Sequence, residues 1–391
     1  MKTFIVCLVI LFSTKLIAQQ EIKFVDSTYD FAFQQAKNEH KLLFIFLYDL
    51  ECSHCENMRK NVLTQSAVYS FLNQNFVNYK LDSKSQSGIQ FIQNNKIPSF
   101  PAFLFRDSTG VDVVNFTGEM SATEFIEEAS NALNPLKYQP VLEAAFNKDT
   151  TNGINCLAYL NSLKRSIQKD QMESIAKRYL STQAEAQLLS VLNWKVMALG
   201  VNDLQSKEFE FIRGHKNEFI QLTSQKRFEI KVNSVVKKEM KQAVDFNLVE
   251  AYSKNHRIAE SLQVRSVDSI LFLFDVQFYE KTKNWKAYEK VVEKDIKNFG
   301  WENKKMLNEI ASNYYRSLPT KENLLFAITL AKRSNEIDNM YNSNYLIAKL
   351  YTKLKDVKNA KLYAKRAFDV ASSKNIDKAE ILKLYKELGM N

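Results

Sequence analysis

Residues 41–55, KLLFIFLYDLECSHC, constrain the fold of this chain more than any other stretch. The run KLLFIFLYD is apolar and of strand length. It ends just before two cysteines spaced C-x-x-C, and ENMRKNVLTQSAVYSFLNQN then continues at helical spacing. A buried strand feeding directly into a helix needs a sheet with helices packed on it. The flanking segments repeat the alternation: IKFV reads as a short strand and TYDFAFQQAKNEH as a helix with Phe31, Phe33 and Ala36 among its apolar positions. FVNYKLD is a strand, GIQFIQNNK a short helix, PAFLFRD a strand, and DSTG a turn into VDVVNFTG. SATEFIEEASNAL closes the set as a helix with Ser121 or Thr123 as candidate caps. Strands alternating with helices, then a hairpin, predict an α/β fold around one mixed sheet.

The rest of the chain reads differently. Pro135 and Pro140 bracket a linker at NPLKYQP, and only Pro319 follows Val141. With so few helix breakers, helix signals dominate to the C-terminus. A weak repeat runs through the last third: Ala327, Ala331 and Ser334 stand 33 residues before Ala360, Ala364 and Ala367, and Ala311 and Tyr314 echo Ala348 and Tyr351. Phe278 and Ala287 supply a fainter third copy. Small residues where paired helices approach, with aromatics between pairs, predict tetratricopeptide-like repeats. The expected organisation is a leader at 1–18, an α/β domain at 19–134, a helical domain at 135–265 and helical repeats at 266–391.

Of the net charge of +10, residues 1–18 carry +2 and residues 19–135 carry −5, from 9 Lys/Arg against 14 Asp/Glu; the remainder is +10 − 2 + 5 = +13. Those lysines alternate with acids on helical patterns, which reads as a solvated helical surface, with an acidic or anionic partner as the alternative. MKTFIVCLVILFSTKLIA has a basic start, an apolar run from Phe4 to Phe12 and a small residue at Ala18. It reads as a secretory signal cut after Ala18. Its apolar run is too short for a bilayer core of about 30 Å, and no later segment reads as a membrane span. The mature chain would keep Cys52, Cys55 and Cys156 outside the cytosol, where a close cysteine pair can be oxidised.

Cys52 falls where strand gives way to helix, so its sulfur faces unpaired backbone N–H groups and the positive end of the helix dipole. Cys55 lies one turn further on, within reach of a disulfide. In such a pair the first cysteine attacks a target disulfide and the second resolves the mixed disulfide. Three other readings stay open. An inert structural disulfide is one. A zinc site needs four ligands, and only Cys52, Cys55 and His54 are local, with no ligand spacing at His40, His215 or His256. Copper held by two thiols and a histidine is the third.

Residues 19–134 resemble a thioredoxin-fold domain of the periplasmic kind, in the order strand, C-x-x-C, long helix, K-x-D strand. SFPAFLFRDSTG extends the likeness. The resemblance implies that Pro101 is the cis proline packed against the cysteine pair, that Phe100 offers its backbone to an extended substrate, and that Lys80 stands where the family keeps a lysine beside a buried carboxylate. It also implies a thiol–disulfide oxidoreductase with Cys52 as nucleophile, Cys55 as resolving thiol, and Ser53 and His54 as tuning residues. His54 occupies the position held by histidine in oxidising disulfide isomerases, whereas Glu51 and Glu56 oppose a second negative charge. That places the expected potential between about −270 and about −180 mV.

The chain departs from the family at Glu51, where thioredoxin has tryptophan, at Ser53-His54 for Gly-Pro, and at Phe46 for the buried acid. A proton relay would then fall to Asp49, Lys80 or water. These departures carry the alternative of a non-catalytic binding module.

The implied cofactor is none beyond the Cys52–Cys55 disulfide. The implied partners are client proteins with thiols or disulfides and a further redox partner, with neither nucleic acid nor stable membrane insertion after signal removal. The implied location is secreted, periplasmic. NWKVMALGVNDLQSKEFEFIRGHKNEFIQL resembles a segment that follows the redox domain in secreted thioredoxin-like proteins, with Trp194, Asp203, Ser206 and Phe209 as its recognisable points. Trp194, Phe209 and Cys156 read as core, and His40 as part of the fold.

Overall fold

The computed structural model describes residues 21–390, so the leader expected at 1–18 lies outside the described residues. The chain forms two compact units. One runs to Asn202 and takes in Ser206–Ser224; the other comprises 203–205 and the residues from Gln225 onward.

In the first unit, strands β1 (Leu42–Tyr48), β2 (Phe76–Asp82), β3 (Ala102–Arg106) and β4 (Asp112–Thr117) form one sheet in the order β2-β1-β3-β4. β1 runs parallel to β2 and antiparallel to β3, and β3 pairs antiparallel with β4. The period-2 alternation of β1 sorts its side chains into two cores. Phe44 and Phe46 join Phe103, Phe105, Phe116 and Phe125 on one face. Leu43, Ile45 and Leu47 join Val77, Leu81, Ala102 and Leu104 on the other. The aromatic face is held by ring contacts such as Phe46–Phe103, with centroids 5.4 Å apart, and Phe103–Phe125 at 5.1 Å. Each fully buried ring is worth about 1.5–3 kcal/mol relative to exposure.

Helices α1 (Tyr29–Asn38), α2 (Ser53–Asn57), α3 (Ser66–Asn75), α4 (Gln86–Asn95) and α5 (Ala122–Ser130) accompany the sheet. Ser121 caps α5 and Glu124 returns the bond in a capping box. The helix expected after the cysteines is interrupted: α2 passes into a wide turn at Met58–Val62 and stops, and α3 starts afresh with Gln65 extended before it. IKFV forms only a bridge between Phe24 and Asn78. Phe31 is 57 % exposed, because Ala32 and Ala36 are the residues α1 turns to the sheet.

Inside the sheet, Arg106 is buried and makes four hydrogen bonds. It makes a two-point pair with Asp112 at 2.7 and 2.9 Å and donates to Tyr29 Oη and Asn95 Oδ1.

β4 is an edge strand, and such edges need cover. Helix α6 (Gln139–Lys148) packs against it, and α7 (Gly153–Leu163) follows. The segment after α7 lies along β4, with Thr117 N–H donating to the Arg165 carbonyl at 2.7 Å. Asn115 Oδ1 accepts from the Ser166 hydroxyl at 2.7 Å and from Ile167 N–H at 2.9 Å, while its amide donates to Gln139 Oε1 at 2.7 Å.

The second unit is all helical. Arg265–Lys281 packs with Trp285–Phe299, Lys304–Ser317 with Lys321–Ile337, and Tyr341–Lys353 with Val357–Ser373. Ala311, Ala327, Ala331, Ser334, Ala348, Ala360, Ala364 and Ala367 are all fully buried, so these small residues lie inside the helix packing. Ala287, by contrast, is half-buried, and Tyr288 beside it fills the interior. Among the described residues no helix is long and apolar enough to cross a membrane.

Candidate functional site

Cys52 is the N-cap of α2, in extended conformation, and its Sγ accepts the N–H of Cys55 at 3.3 Å. The strand–helix junction produces this geometry, since a cap residue turns its side chain back over the first free N–H groups. Cys52 is half-buried and Cys55 is fully buried; the pair lies 3.1 Å apart, and both are free thiols. Burial pushes the Cys55 thiol up to about 12, and the neighbouring Cys52 and Asp49 add to the rise. The Asp49 N–H donates to Cys55 Sγ at 3.5 Å and acts against it.

Across the site, the Phe100–Pro101 peptide is cis. It turns the Phe100 carbonyl toward the cysteines, where Cys52 Sγ–H donates to it at 3.9 Å. The Phe100 carbonyl thus lies beside Cys52, with Pro101 next to it in the chain. Phe46, at the position of the family's buried acid, is fully buried and stacks between Phe103 and Tyr48. Asp49 is thus the carboxylate that acts on Cys55.

The charges around the motif are paired, Lys60 with Glu56 at local i,i+4 spacing and Lys84 from a distant segment. Lys84 Nζ lies 2.6 Å from Glu51 and 3.7 Å from Asp49, and Lys60 lies 2.6 Å from Glu56. The two acids expected to oppose a thiolate thus carry their own counter-ions. Lys80 is exposed, with its ammonium 5.3 Å over the Phe24 ring and no ion pair among the described residues. Ser53 is the first residue of α2 and is exposed.

His54 is also exposed, and its Nδ1 lies 2.5 Å from Glu119 Oε2. The second oxygen of Glu119 accepts from Asn57. Glu119 stands 65 residues from His54, and no local spacing signals it. An open cavity of about 660 Å³ beside these residues is lined by His54, Asn57, Phe100, Gly118, Glu119 and Met120. Among the described residues no group of three or more His, Cys, Asp or Glu side chains is placed to hold a metal ion.

Cys156 is fully buried on α7 and its thiol is pushed up to about 12 by burial alone. Trp194 and Phe209 are buried as well.

Residues 29–132 match the family described as a thioredoxin-like domain. No curated protein matches the chain. Among solved structures, a putative disulphide-isomerase from Bacteroides thetaiotaomicron is 27% identical, covering 29% of this chain and 95% of its own, with a TM-score of 0.28. A thioredoxin from Thermus thermophilus is 21% identical over 27% of this chain and 84% of its own, with a TM-score of 0.26. The oxidoreductase DsbH is 20% identical over 32% of this chain and 94% of its own, with a TM-score of 0.27. With its four-stranded mixed sheet, flanking helices and family match, the N-terminal part of the chain is a thioredoxin-like domain, and an all-helical region follows it.

Proposed function

We propose that this protein is an exported thiol–disulfide oxidoreductase. The observation that carries this reading is the asymmetry of the pair: a half-buried Cys52 at a helix N-cap stands 3.1 Å from a fully buried Cys55. The accessible thiol meets the client and the hidden one resolves the intermediate.

In the reducing direction, the Cys52 thiolate attacks one sulfur of a client disulfide. The client S–S bond breaks, a Cys52–client bond forms, and the released client thiolate takes a proton. Cys55 then loses its proton and attacks Cys52 Sγ. The second client thiolate leaves and is protonated. Cys52 and Cys55 have given up two electrons and two protons, and the client disulfide has become two thiols. Running the steps backward oxidises a client dithiol. Phe100 and Pro101 form the wall against which the client backbone lies, and His54 tunes the balance between the two forms. The protein needs no cofactor beyond the cysteine pair, and a separate redox partner resets it. The paired helices of the C-terminal unit act as tetratricopeptide-like repeats that hold the client, and the location is periplasmic.

A second reading, a binding module with a degenerate redox domain, draws support from Phe46, which fills the place of the buried acid. The test is disulfide exchange with a model substrate, followed by trapping. Cys52→Ser should abolish exchange, and Cys55→Ser should accumulate mixed disulfides. Exchange at the wild-type rate in Cys52→Ser overturns the oxidoreductase reading. Unchanged client capture with both cysteines replaced by serine favours the binding module.

A further inference from the structure

The loop Gly118–Ser121 touches both walls of the cysteine site. Gly118, at φ +93°, donates its N–H to the Pro101 carbonyl at 2.9 Å, which ties the loop to the cis-proline wall. A side chain is disfavoured at that φ, so glycine is what lets the chain turn there. Met120 donates its N–H to Met58 Sδ at 3.4 Å, which ties the loop to the turn that continues α2. Between these anchors, Glu119 sends its carboxylate across to α2. One oxygen meets His54 Nδ1 at 2.5 Å and the other accepts from Asn57. The two partners flank Cys55 in sequence, one on each side.

The backbone of Glu119 is braced from behind. Arg165 Nη1 donates to its carbonyl at 3.4 Å, and Arg165 Nη2 pairs with Glu124 at 2.9 Å. Arg165 also accepts the Thr117 N–H through its own carbonyl. A histidine side chain exposed at a helix surface has no reason to hold one rotamer unless something holds it. Here the holder is a carboxylate fixed at its backbone by three neighbouring segments.

We propose that Glu119 is a positioning residue for the cysteine couple: it fixes the His54 imidazole beside the motif and so sets the balance between the dithiol and disulfide forms of Cys52–Cys55. This deepens the oxidoreductase reading and rests on it. In keeping with these two contacts, the Glu119 carboxyl is held below the usual carboxylate range chiefly by its bond to His54, with Asn57 assisting. The contact is half-exposed, so its effect belongs to the modest range of surface pairs. With the tether cut, the imidazole leaves the motif and the reduced form loses that support. The equilibrium with glutathione then moves toward the protein disulfide.

The experiment is a double-mutant cycle on the full-length exported chain, with Glu119→Ala, His54→Ala and both together. Each is equilibrated against reduced and oxidised glutathione, and the His54 ring is followed by NMR. The expected result is a shift toward disulfide of about two- to fivefold in Glu119→Ala. The same substitution should add nothing in the His54→Ala background, and the His54 ring signals should move toward those of a free histidine. An equal shift in both backgrounds means that Glu119 acts through the fold and overturns the proposal. So does an unchanged constant in a protein that cycles normally. A wild-type chain with no reversible two-electron transition overturns the oxidoreductase reading and this proposal together, which separates that failure from a failure of Glu119 alone.

Discussion

The backbone N–H of Asp49 donates to Sγ of Cys55 at 3.5 Å, while the Asp49 carboxylate accepts the Glu51 N–H at 2.8 Å and lies 3.7 Å from Lys84. One residue thus acts on the buried thiol with opposite signs. Its amide favours the thiolate and its charge opposes it.

Replacing Asp49 by asparagine keeps the backbone bond and removes the charge. Cys55 should then ionise below its present value of about 12. Thiolate absorbance titrated in a Cys52→Ser background should show the Cys55 transition at lower pH in Asp49→Asn than with Asp49 intact. A transition that stays put would mean that Lys84 already cancels the carboxylate.

Asn115 joins β4 to the segment after α7 and is almost fully buried. Asn115→Ala strands the Ile167 N–H and leaves Gln139 short of a partner. The expected loss is on the order of 2–4 kcal/mol for the N-terminal unit, since buried polar groups left unpaired cost about 1–3 kcal/mol each. Urea unfolding followed by a probe in the first unit measures it. A loss below about 1 kcal/mol would mean that the segment does not depend on this network.

In the helical unit, Asp275 is buried between the Tyr252 hydroxyl and His256, whose Nε2 lies 3.2 Å from Oδ2. The bond to Asp275 holds His256 above its ordinary value of 6.5, against the effect of burial; Glu260 adds to the rise and Lys294 opposes it. The folded state therefore binds the His256 proton more tightly than the unfolded chain. This stabilisation is complete below about 6.5 and is lost as pH rises through the folded value. The melting temperature of the helical unit should fall with pH over that interval, and His256→Gln should flatten the fall. An identical pH profile in the variant would remove His256 as its cause.

The Cys156 thiol, raised to about 12, gives the opposite side of the pH scale. An unfolded cysteine ionises near its ordinary value of 9, so between 9 and 12 the unfolded chain sheds a proton that the folded chain keeps. Stability must fall with pH there, by about 1.4 kcal/mol per pH unit for one such group. Cys156→Ala should be less stable at neutral pH through the cavity it leaves, yet less steeply dependent on pH above 9. Parallel profiles for the two proteins would show that Cys156 ionises freely.

What the amino-acid sequence determined by itself was everything carried by local periodicity. The alternation Leu43-Phe44-Ile45-Phe46-Leu47 commits β1 to burial on both faces. The strand–CxxC–helix junction places Cys52 at a cap, and the small-residue spacing of Ala327 to Ala367 sets the close helix pairs. These are statements about neighbours within one or two turns, where backbone geometry alone fixes which side chains share a face. The break after Val62 was not legible, because the apolar spacing continues across it and a wide turn leaves no compositional mark.

Charge pairing between distant segments was decided only by the tertiary structure. Lys84 rather than Lys80 answers the acids before Cys52, and Glu119 reaches His54 from 65 residues away. An ion pair needs two side chains within a few ångströms, and chain closure between distant segments is set by the packing of the sheet, not by any spacing along the chain. Phe46 shows the two levels meeting. Its sequence position removes the buried acid, and in the fold the Asp49 carboxylate is a charge that raises the Cys55 thiol.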